Sequence, residues 1–380
     1  MTRNLNVLTI GYAKRLFDVQ SREFKRLVEY AGLLQSLHVI VFTTKKNGIH
    51  DVLTHGNLSI YPTNSHTRIG ALIDAFRIGR RILRNRSGDD SWVITSQDPF
   101  ETSLVGRSLS RSCDVPHHVQ LHGDNFSPTP WRFESMLNRI RYRYGLKVLR
   151  TSKAVRVASE RIKRSLLSHG IREDTITVLP IRPELEAFLR EERPKRSSGI
   201  TFLSLGRLSK EKDILRIVDA FARLVKEGMD ARLRIIGEGR ELSRIVARVR
   251  EHNIADRVTF VPWTEDVPHE MAHADIFLLA SHHEAYALTL VEALAAGLPI
   301  ITTDVGCVGE LVKDGIHGIV VYEKGIPAYA QAMKKMATDT ELRHTCGARG
   351  RETGRKLALV PREAYAAAWV TAIGKAVIRV

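Results

Sequence analysis

Two hydrophobic periods alternate along the chain. Short apolar runs bounded by polar residues, at 5–10, 37–43, 92–95, 200–205, 233–236, 258–261 and 276–280, suit strands of a parallel sheet buried on both faces. Between them, apolar residues recur every three or four positions, as they do on helices that lie against such a sheet. Residues 22–30, 68–86, 101–110 and 160–168 read this way, and so does the segment after Tyr286, where Leu288, Val291, Glu292 and Ala295 share a stripe that Gly297 and Pro299 end. Residues 154–158 and 175–179 supply the last strands of the first half, 318–321 the last of the second, and Pro361 opens a final helix. The segment REERPKRSSG, 190–199, has the charge and turn composition of a linker. The alternation predicts an α/β protein of two doubly wound, Rossmann-like parallel-sheet domains facing a cleft. Their expected limits are 1–190 and 200–360, with a linker over 191–199 and a last helix over 361–380 crossing back to the first domain.

Folds of this kind bind ligands where loops leave the carboxyl ends of the strands. Six such places carry chemistry. In DIFLLASHHEAYALTLVEALAAGLPIIT, 275–302, Glu284 lies in the loop before a helix and Glu292 on that helix's apolar stripe, where a carboxylate without a partner is costly. A vicinal diol could satisfy it, and the helix start offers free N–H groups to an anion. A partly exposed Glu292 and a solvated Glu284 satisfy the spacing equally. After strand 200–205, Arg207, Lys210 and Lys212 crowd a helix start, where positive charge is disfavoured unless an anion binds. Gly237 and Gly239 follow the next strand, Trp263 the one after, and Gly11 closes the first strand of the chain. His122 and Asp124, in HGD, end the strand at 119–121; alone, that triplet suits a surface turn as well as a ligand edge.

Composition narrows the partners. The chain has 380 residues, a formal net charge of +16 and a pI near 9.9, which call for an acidic partner such as nucleic acid, an anionic membrane or a phosphorylated substrate. Residues 132–164 hold eleven Lys and Arg against two acids, so nine of the sixteen excess charges are local. Phe133, Leu137, Ile140 and Tyr144 fall on one helical stripe there and Arg132, Arg139, Arg143 and Arg150 on another. The apolar stripe is expected to pack while the basic one is either solvated or meets an anionic membrane. Nucleic acid fits less well, because no aromatic platform accompanies these arginines. Three cysteines without metal or redox spacing, no apolar leader and no membrane-length run lead to a cytoplasmic expectation, with peripheral contact at the inner face of the plasma membrane open.

The stretch HEAYALTLVEALAAGLPI closely resembles the Glu-x7-Glu signature of the retaining nucleotide-sugar glycosyltransferases of family 4, or group 1, whose fold is GT-B. The resemblance implies that Glu292 holds a ribose, Glu284 faces the transferred sugar, and backbone at Tyr286, Ala287 and Leu288 meets the sugar or its diphosphate. It also implies that Arg207 and Lys212, in GRLSKEK, grip the diphosphate, that Gly11, Gly237, Gly239 and Trp263 lie near the nucleotide, and that His122 stands beside sugar and acceptor. Two features depart from the family pattern: Gly11-Tyr12-Ala13-Lys14-Arg15 replaces paired glycines, and Ile181-Arg182-Pro183 replaces an Asn-Gly turn. The implied activity is a metal-independent hexosyl transfer with retention, from a UDP- or GDP-sugar co-substrate and with no further cofactor, to a glycan or lipid-linked acceptor in envelope polysaccharide biosynthesis. A nucleotide-sugar 2-epimerase of the same fold and a basic nucleic-acid-binding protein are the alternatives.

Overall fold

The computed structural model describes residues 4–86, 90–127, 130–191 and 199–378. The chain divides into two compact units, Met1–Pro180 together with Pro361–Val380, and Ile181–Val360.

The first unit runs β1 (Leu5–Gly11), α1 (Arg22–Ala31), β2 (Ser36–Val41), β3 (Leu53–His55), β4 (Leu58–Pro62), α2 (Arg68–Arg84), β5 (Ser91–Ser96), α3 (Glu101–Cys113), β6 (His117–Leu121), α4 (Met136–Thr151), β7 (Ala154–Val157), α5 (Glu160–Ser168) and β8 (Ile176–Val178). Its eight strands lie in the order β3-β4-β2-β1-β5-β6-β7-β8, all parallel except the β3 edge. Every residue of β1 is buried, because helices cover both faces of the sheet. Val7, Val39 and Val93 face one core, and Leu8, Ile40 and Ile94 face the other. Side chains of Ser21, Thr67, Ser135 and Ser159 accept the first free N–H groups of α1, α2, α4 and α5, which fixes where those helices start.

The second unit runs α6 (Glu186–Arg190), β9 (Ile200–Leu205), α7 (Ile214–Lys226), β10 (Ala231–Ile236), α8 (Leu242–Glu251), β11 (Val258–Val261), α9 (Val267–Ala272), β12 (Ile276–Leu279), α10 (Leu288–Ala296), β13 (Ile300–Thr303), β14 (Gly318–Val321), α11 (Ile326–Thr338) and α12 (Thr340–Ala358). Its six strands are parallel, in the order β11-β10-β9-β12-β13-β14. Phe202, Leu233 and Ile301 belong to one core, with α7, α8 and α11, and Leu203, Phe277 and Ile300 to the other, with α10. The last helix, α13 (Arg362–Gly374), lies with the first unit, where Trp369 stacks on Tyr30 at 4.5 Å.

Three details differ from the sequence expectations. Glu186–Arg190, assigned by sequence to the first domain, belongs to the second unit, because Leu185 and Phe188 are buried in its core. Most of the expected linker, 192–198, lies outside the described residues. The third concerns α4, whose stripe of Phe133, Leu137 and Ile140 was expected to pack and is instead exposed. The buried side of α4 is Gly145, Val148 and Leu149, with Arg141 paired to Glu101 and the Tyr142 hydroxyl 2.6 Å from His169 Nε2. Gly145 decides this: a Cβ there would lie 2.8 Å from the Phe126 ring and 3.0 Å from that of Phe100, so only glycine lets α4 approach along this side.

Candidate functional site

In the second unit β9 and β12 are neighbours, Phe202 opposite Ile276 and Leu203 opposite Phe277. The chain leaves β9 toward β10 and leaves β12 toward β13, on opposite sides, so the loops leaving their carboxyl ends part and open a crevice. Residues 206–213 and 280–287 form its walls. They are tied across it. Lys212 Nζ donates to Glu284 Oε1 at 2.5 Å, and the Ser281 hydroxyl donates to the same oxygen at 2.8 Å. Among the described residues Oε2 has no hydrogen-bond partner, so one edge of this carboxylate remains available. The His282 N–H donates to the Glu211 carbonyl at 2.8 Å, and the two ion-paired side chains are only 16% and 14% exposed. Asp213, in the left-handed region at φ 46°, ends the short turn bearing Lys210 and Lys212, starts α7, and pairs with Arg216 at 2.9 Å. Arg207 stands exposed on the same loop.

Gly237 and Gly239 are required here by close packing. A Cβ on Gly237 would lie 2.0 Å from the Gly206 carbonyl oxygen and one on Gly239 2.1 Å from that of Leu208. The two glycines therefore let the loop after β10 lie directly against the loop that carries Arg207 and Lys212. The Leu208 N–H donates to the Glu238 carbonyl at 2.8 Å and locks that contact.

On the other wall, Ala287 begins α10 with φ 64°, and no side chain caps the helix. The first turn therefore points its N–H groups, and the positive end of the helix, out of the carboxyl edge. Gly306 buttresses it: a Cβ there would lie 2.6 Å from the Tyr286 carbonyl oxygen, to which the Cys307 N–H donates at 3.0 Å. Glu292 does not share the inward stripe predicted for it. Val291 and Ala293 to Ala296 are buried, whereas Leu288, Thr289 and Glu292 are half-buried along one side of the helix. The other faces of α10 are filled by core residues, so the side with room for a carboxylate is the one that starts at the crevice. Trp263 is 56% exposed on the loop after β11. Among the described residues no group of three or more His, Cys, Asp or Glu is placed to hold a metal ion.

The first unit builds a second edge from β1, β5 and β6. Gly11 is the last residue of β1, and a Cβ on it would lie 2.9 Å from Gln97 Cγ. The space it leaves holds Gln97, whose Oε1 lies 2.8 Å from His122 Nε2. With an amide oxygen opposite, Nε2 carries the proton and Nδ1 keeps its lone pair. Burial, reinforced by the charges of Arg156 and Arg26, pushes the His122 pKa down to about 3, so the ring is neutral at physiological pH. Arg156 is itself buried, donating to Gln120 Oε1 at 2.8 Å, the Leu179 carbonyl at 2.9 Å and the Tyr365 hydroxyl of α13 at 2.8 Å. Asp124 is buried in its own turn, where it accepts from the Ser127 N–H at 3.3 Å. Sequence reasoning did not single out Gln97 or Ser281; Gln97 directly follows β5, and Ser281 lies two residues past β12.

Residues 186–353 match the sequence model of the family described as glycosyl transferases group 1. That stretch lies wholly within the second unit. The group 1 segment starts at α6, ends within α12, and contains Arg207, Lys212, Glu284 and Glu292. It is similar to N-acetyl-alpha-D-glucosaminyl L-malate synthase of Bacillus anthracis, with 32% identity over 165 residues, 43% of this chain and 43% of that one, so the matched stretch spans less than half of the relative's length. Over nearly the whole chain the structure is similar to sucrose-phosphate synthase from Thermosynechococcus elongatus, with a TM-score of 0.75, 19% identity and coverage of 96% and 97% of the two chains. An Anabaena protein, HepE, crystallised in complex with UDP and glucose, is similar with a TM-score of 0.73 and 16% identity, over 96% of this chain and 99% of that one. These likenesses establish the fold as GT-B, with two Rossmann-like units.

Proposed function

We propose that the chain is a glycosyltransferase that moves a hexosyl group from a nucleoside-diphosphate sugar to a hydroxyl of a glycan or lipid-linked acceptor, with retention and without a metal ion. The observation that carries this reading is the Lys212–Glu284 pair, held across the β9/β12 crevice beside the uncapped start of α10. A cation, a helix N-terminus and a carboxylate with a free edge at one place suit a ligand carrying diphosphate and sugar hydroxyls together. Lys212 has three N–H groups and gives one to Glu284, which leaves two for phosphate oxygens. Arg207 adds a fork of donors on the same loop.

In the proposed reaction the bond between the anomeric carbon and the diphosphate oxygen breaks, and the acceptor oxygen forms its bond on the same face. The acceptor proton passes to the departing phosphate oxygen. Lys212, Arg207 and the α10 N–H groups are oriented before the reaction toward the charge that grows on the diphosphate, an effect worth about 3 kcal/mol per well-placed donor. His122, neutral and fixed by Gln97, presents Nδ1 as an acceptor to a sugar or acceptor hydroxyl and is too weak a base to remove a proton. Glu292 is assigned to the ribose diol and Trp263 to the base. A uridine donor is supported by the UDP and glucose bound to the similar Anabaena protein, and action in envelope polysaccharide assembly remains the expectation from the family.

A thermal-shift panel of UDP-, GDP- and ADP-sugars tests this. The true donor at one hundred times its Kd stabilises by about 2.7 kcal/mol, and Glu292→Gln is expected to lose that shift while unfolding as the wild type does. A free epimerised sugar nucleotide formed from donor alone would replace the transferase reading with an epimerase, and no shift with any of the three would end both.

A further inference from the structure

The first unit exposes an apolar ridge that its own fold does not use. Phe133, Met136, Leu137 and Ile140, at the start of α4 and in the turn before it, are between 53% and 69% exposed. They are not scattered. In a parallel sheet each helix that follows a strand begins at the carboxyl edge, so the first turns of α2, α3 and α4 rise from the edge where Gly11, Gln97 and His122 meet. These three helices lie side by side: α2 and α3 share one core, Arg141 of α4 pairs with Glu101 of α3, and Arg107 of α3 donates to the Lys147 carbonyl of α4 at 3.3 Å. Ile69 and Leu104 in their first turns, and Ile73 in the second turn of α2, add to the exposed apolar residues on this side.

Charge accompanies the ridge. Arg139 and Arg143 are exposed on α4 within one turn of Ile140, and the guanidinium of Arg132 lies 4.6 Å above the Phe133 ring, with that of Arg139 at 5.9 Å. Of the nearby acids Glu101 is held by Arg141, and Asp74 pairs with Arg77 and accepts from the Ser65 hydroxyl; Glu134, exposed beside Phe133, is outnumbered by Arg132, Arg139 and Arg143. A soluble anion has no use for four contiguous apolar side chains, and an apolar protein groove has no use for the arginines. An anionic bilayer uses both, because arginine stems lie along the apolar boundary while their heads reach phosphate.

We propose that this edge of the first unit docks on an anionic lipid bilayer. Phe133, Met136, Leu137 and Ile140 enter the acyl boundary, Arg139 and Arg143 meet headgroup phosphates, and the His122 edge is thereby turned toward the lipid. Among the described residues no helix is long and apolar enough to cross a membrane, so the attachment is peripheral and reversible. The docking stands on the surface alone. Its consequence, that the acceptor is presented on a lipid, rests on the reading of the His122 edge as the acceptor side.

The test is flotation of the full chain with phosphatidylcholine vesicles, with and without phosphatidylglycerol, in the absence of any sugar nucleotide. Binding is expected only with phosphatidylglycerol and is expected to fall with salt. R139E/R143E should weaken it by about thirtyfold or more, and L137E/I140E by about a hundredfold, with unfolding midpoints unchanged because all four side chains are exposed. Equal binding to both vesicles, no binding, or variants that bind like the wild type would overturn the proposal. So would a concentration-dependent dimer abolished by L137E/I140E, which would make a second copy the occupant. UDP-glucose binding measured without vesicles separates the two readings. No binding of UDP-glucose, nor of the GDP- and ADP-sugars, with vesicle binding intact overturns the transferase assignment alone, and binding of any of them without vesicle binding overturns the docking alone.

Discussion

Removing both members of the Lys212–Glu284 pair should restore stability without restoring turnover. The two side chains are about one-sixth exposed and joined by a hydrogen bond of 2.5 Å, so the pair lies between two regimes. A fully exposed pair contributes about 0–1 kcal/mol, whereas removing one partner of a buried pair costs about 3–5 kcal/mol because the other charge is orphaned. Lys212→Met is therefore expected to cost about 2 kcal/mol, since it leaves the Glu284 carboxylate with only the Ser281 hydroxyl. Glu284→Gln should cost about 1 kcal/mol, because the amide oxygen still accepts from both donors but no longer balances the Lys212 charge. In the double variant no orphaned charge remains, and stability should return to within about 1 kcal/mol of the wild type. Turnover follows another rule. If Lys212 stabilises the departing diphosphate, its loss costs about 3 kcal/mol in the transition state, roughly 150-fold in kcat, and no second substitution recovers it. Urea unfolding and steady-state release of nucleoside diphosphate, on wild type, both singles and the double, measure the two quantities side by side. A double variant that regained turnover together with stability would show that the pair is a structural brace and that the diphosphate lies elsewhere.

The first unit should lose stability in mild acid. Burial holds His117 at a pKa of about 3 and His118 well below its ordinary value, helped by Arg107 in the first case and by His117 and Arg156 in the second. The unfolded chain, with histidine pKa values near 6.5, binds more protons below that pH, so stability is lost as pH falls through 6.5 toward about 3. From pH 7 to pH 5 His117 costs about 2 kcal/mol, and His118 adds to the loss in the same direction. Asp98, whose pKa burial raises, opposes them with a single group. Urea unfolding followed by the buried Trp92 and Trp369 should show the loss, and a flat stability between pH 7 and pH 5 would contradict it. Gln97→Leu, which removes the acceptor of the His122 Nε2 proton, is expected to lower turnover about tenfold. Gln97→Glu should recover part of it while raising the His122 pKa and introducing a new inflection in the pH profile, which a purely structural Gln97 would not do.

The strands that line the site were legible because each is a continuous apolar run buried on both faces, as in Ile276–Leu279, and such runs exist only where helices cover both sides of a sheet. The pattern failed where burial is partial. Leu53–His55 and Leu58–Pro62 form an antiparallel pair around Gly56 and Asn57, but the first is half-exposed or exposed throughout, so no apolar run announces it. In α4 the period was right and the inward side was not. The buried side, Gly145, Val148 and Leu149, belongs to neither of the stripes read from sequence, and it is selected by Gly145 against Phe126 and Phe100, a contact between distant segments.

The site itself shows the same division between local and distant information. Lys212 and Glu284 could each be named from their own loops, yet they are 72 residues apart in the chain and meet only because β9 and β12 are neighbours. Nothing in either loop specifies that adjacency. The order of strands does, since in a doubly wound sheet the first and fourth strands of the unit are brought together at its centre and their loops diverge from one point. The same rule applied to the first unit points to the residues just past β1, β5 and β6, and therefore to Gln97, which no motif marks. Once the topology is known, the position after each central strand is thus a stronger guide to function than the residue type found there. Ser281 illustrates this: an ordinary serine becomes the second donor to the Glu284 carboxylate solely because of where β12 ends.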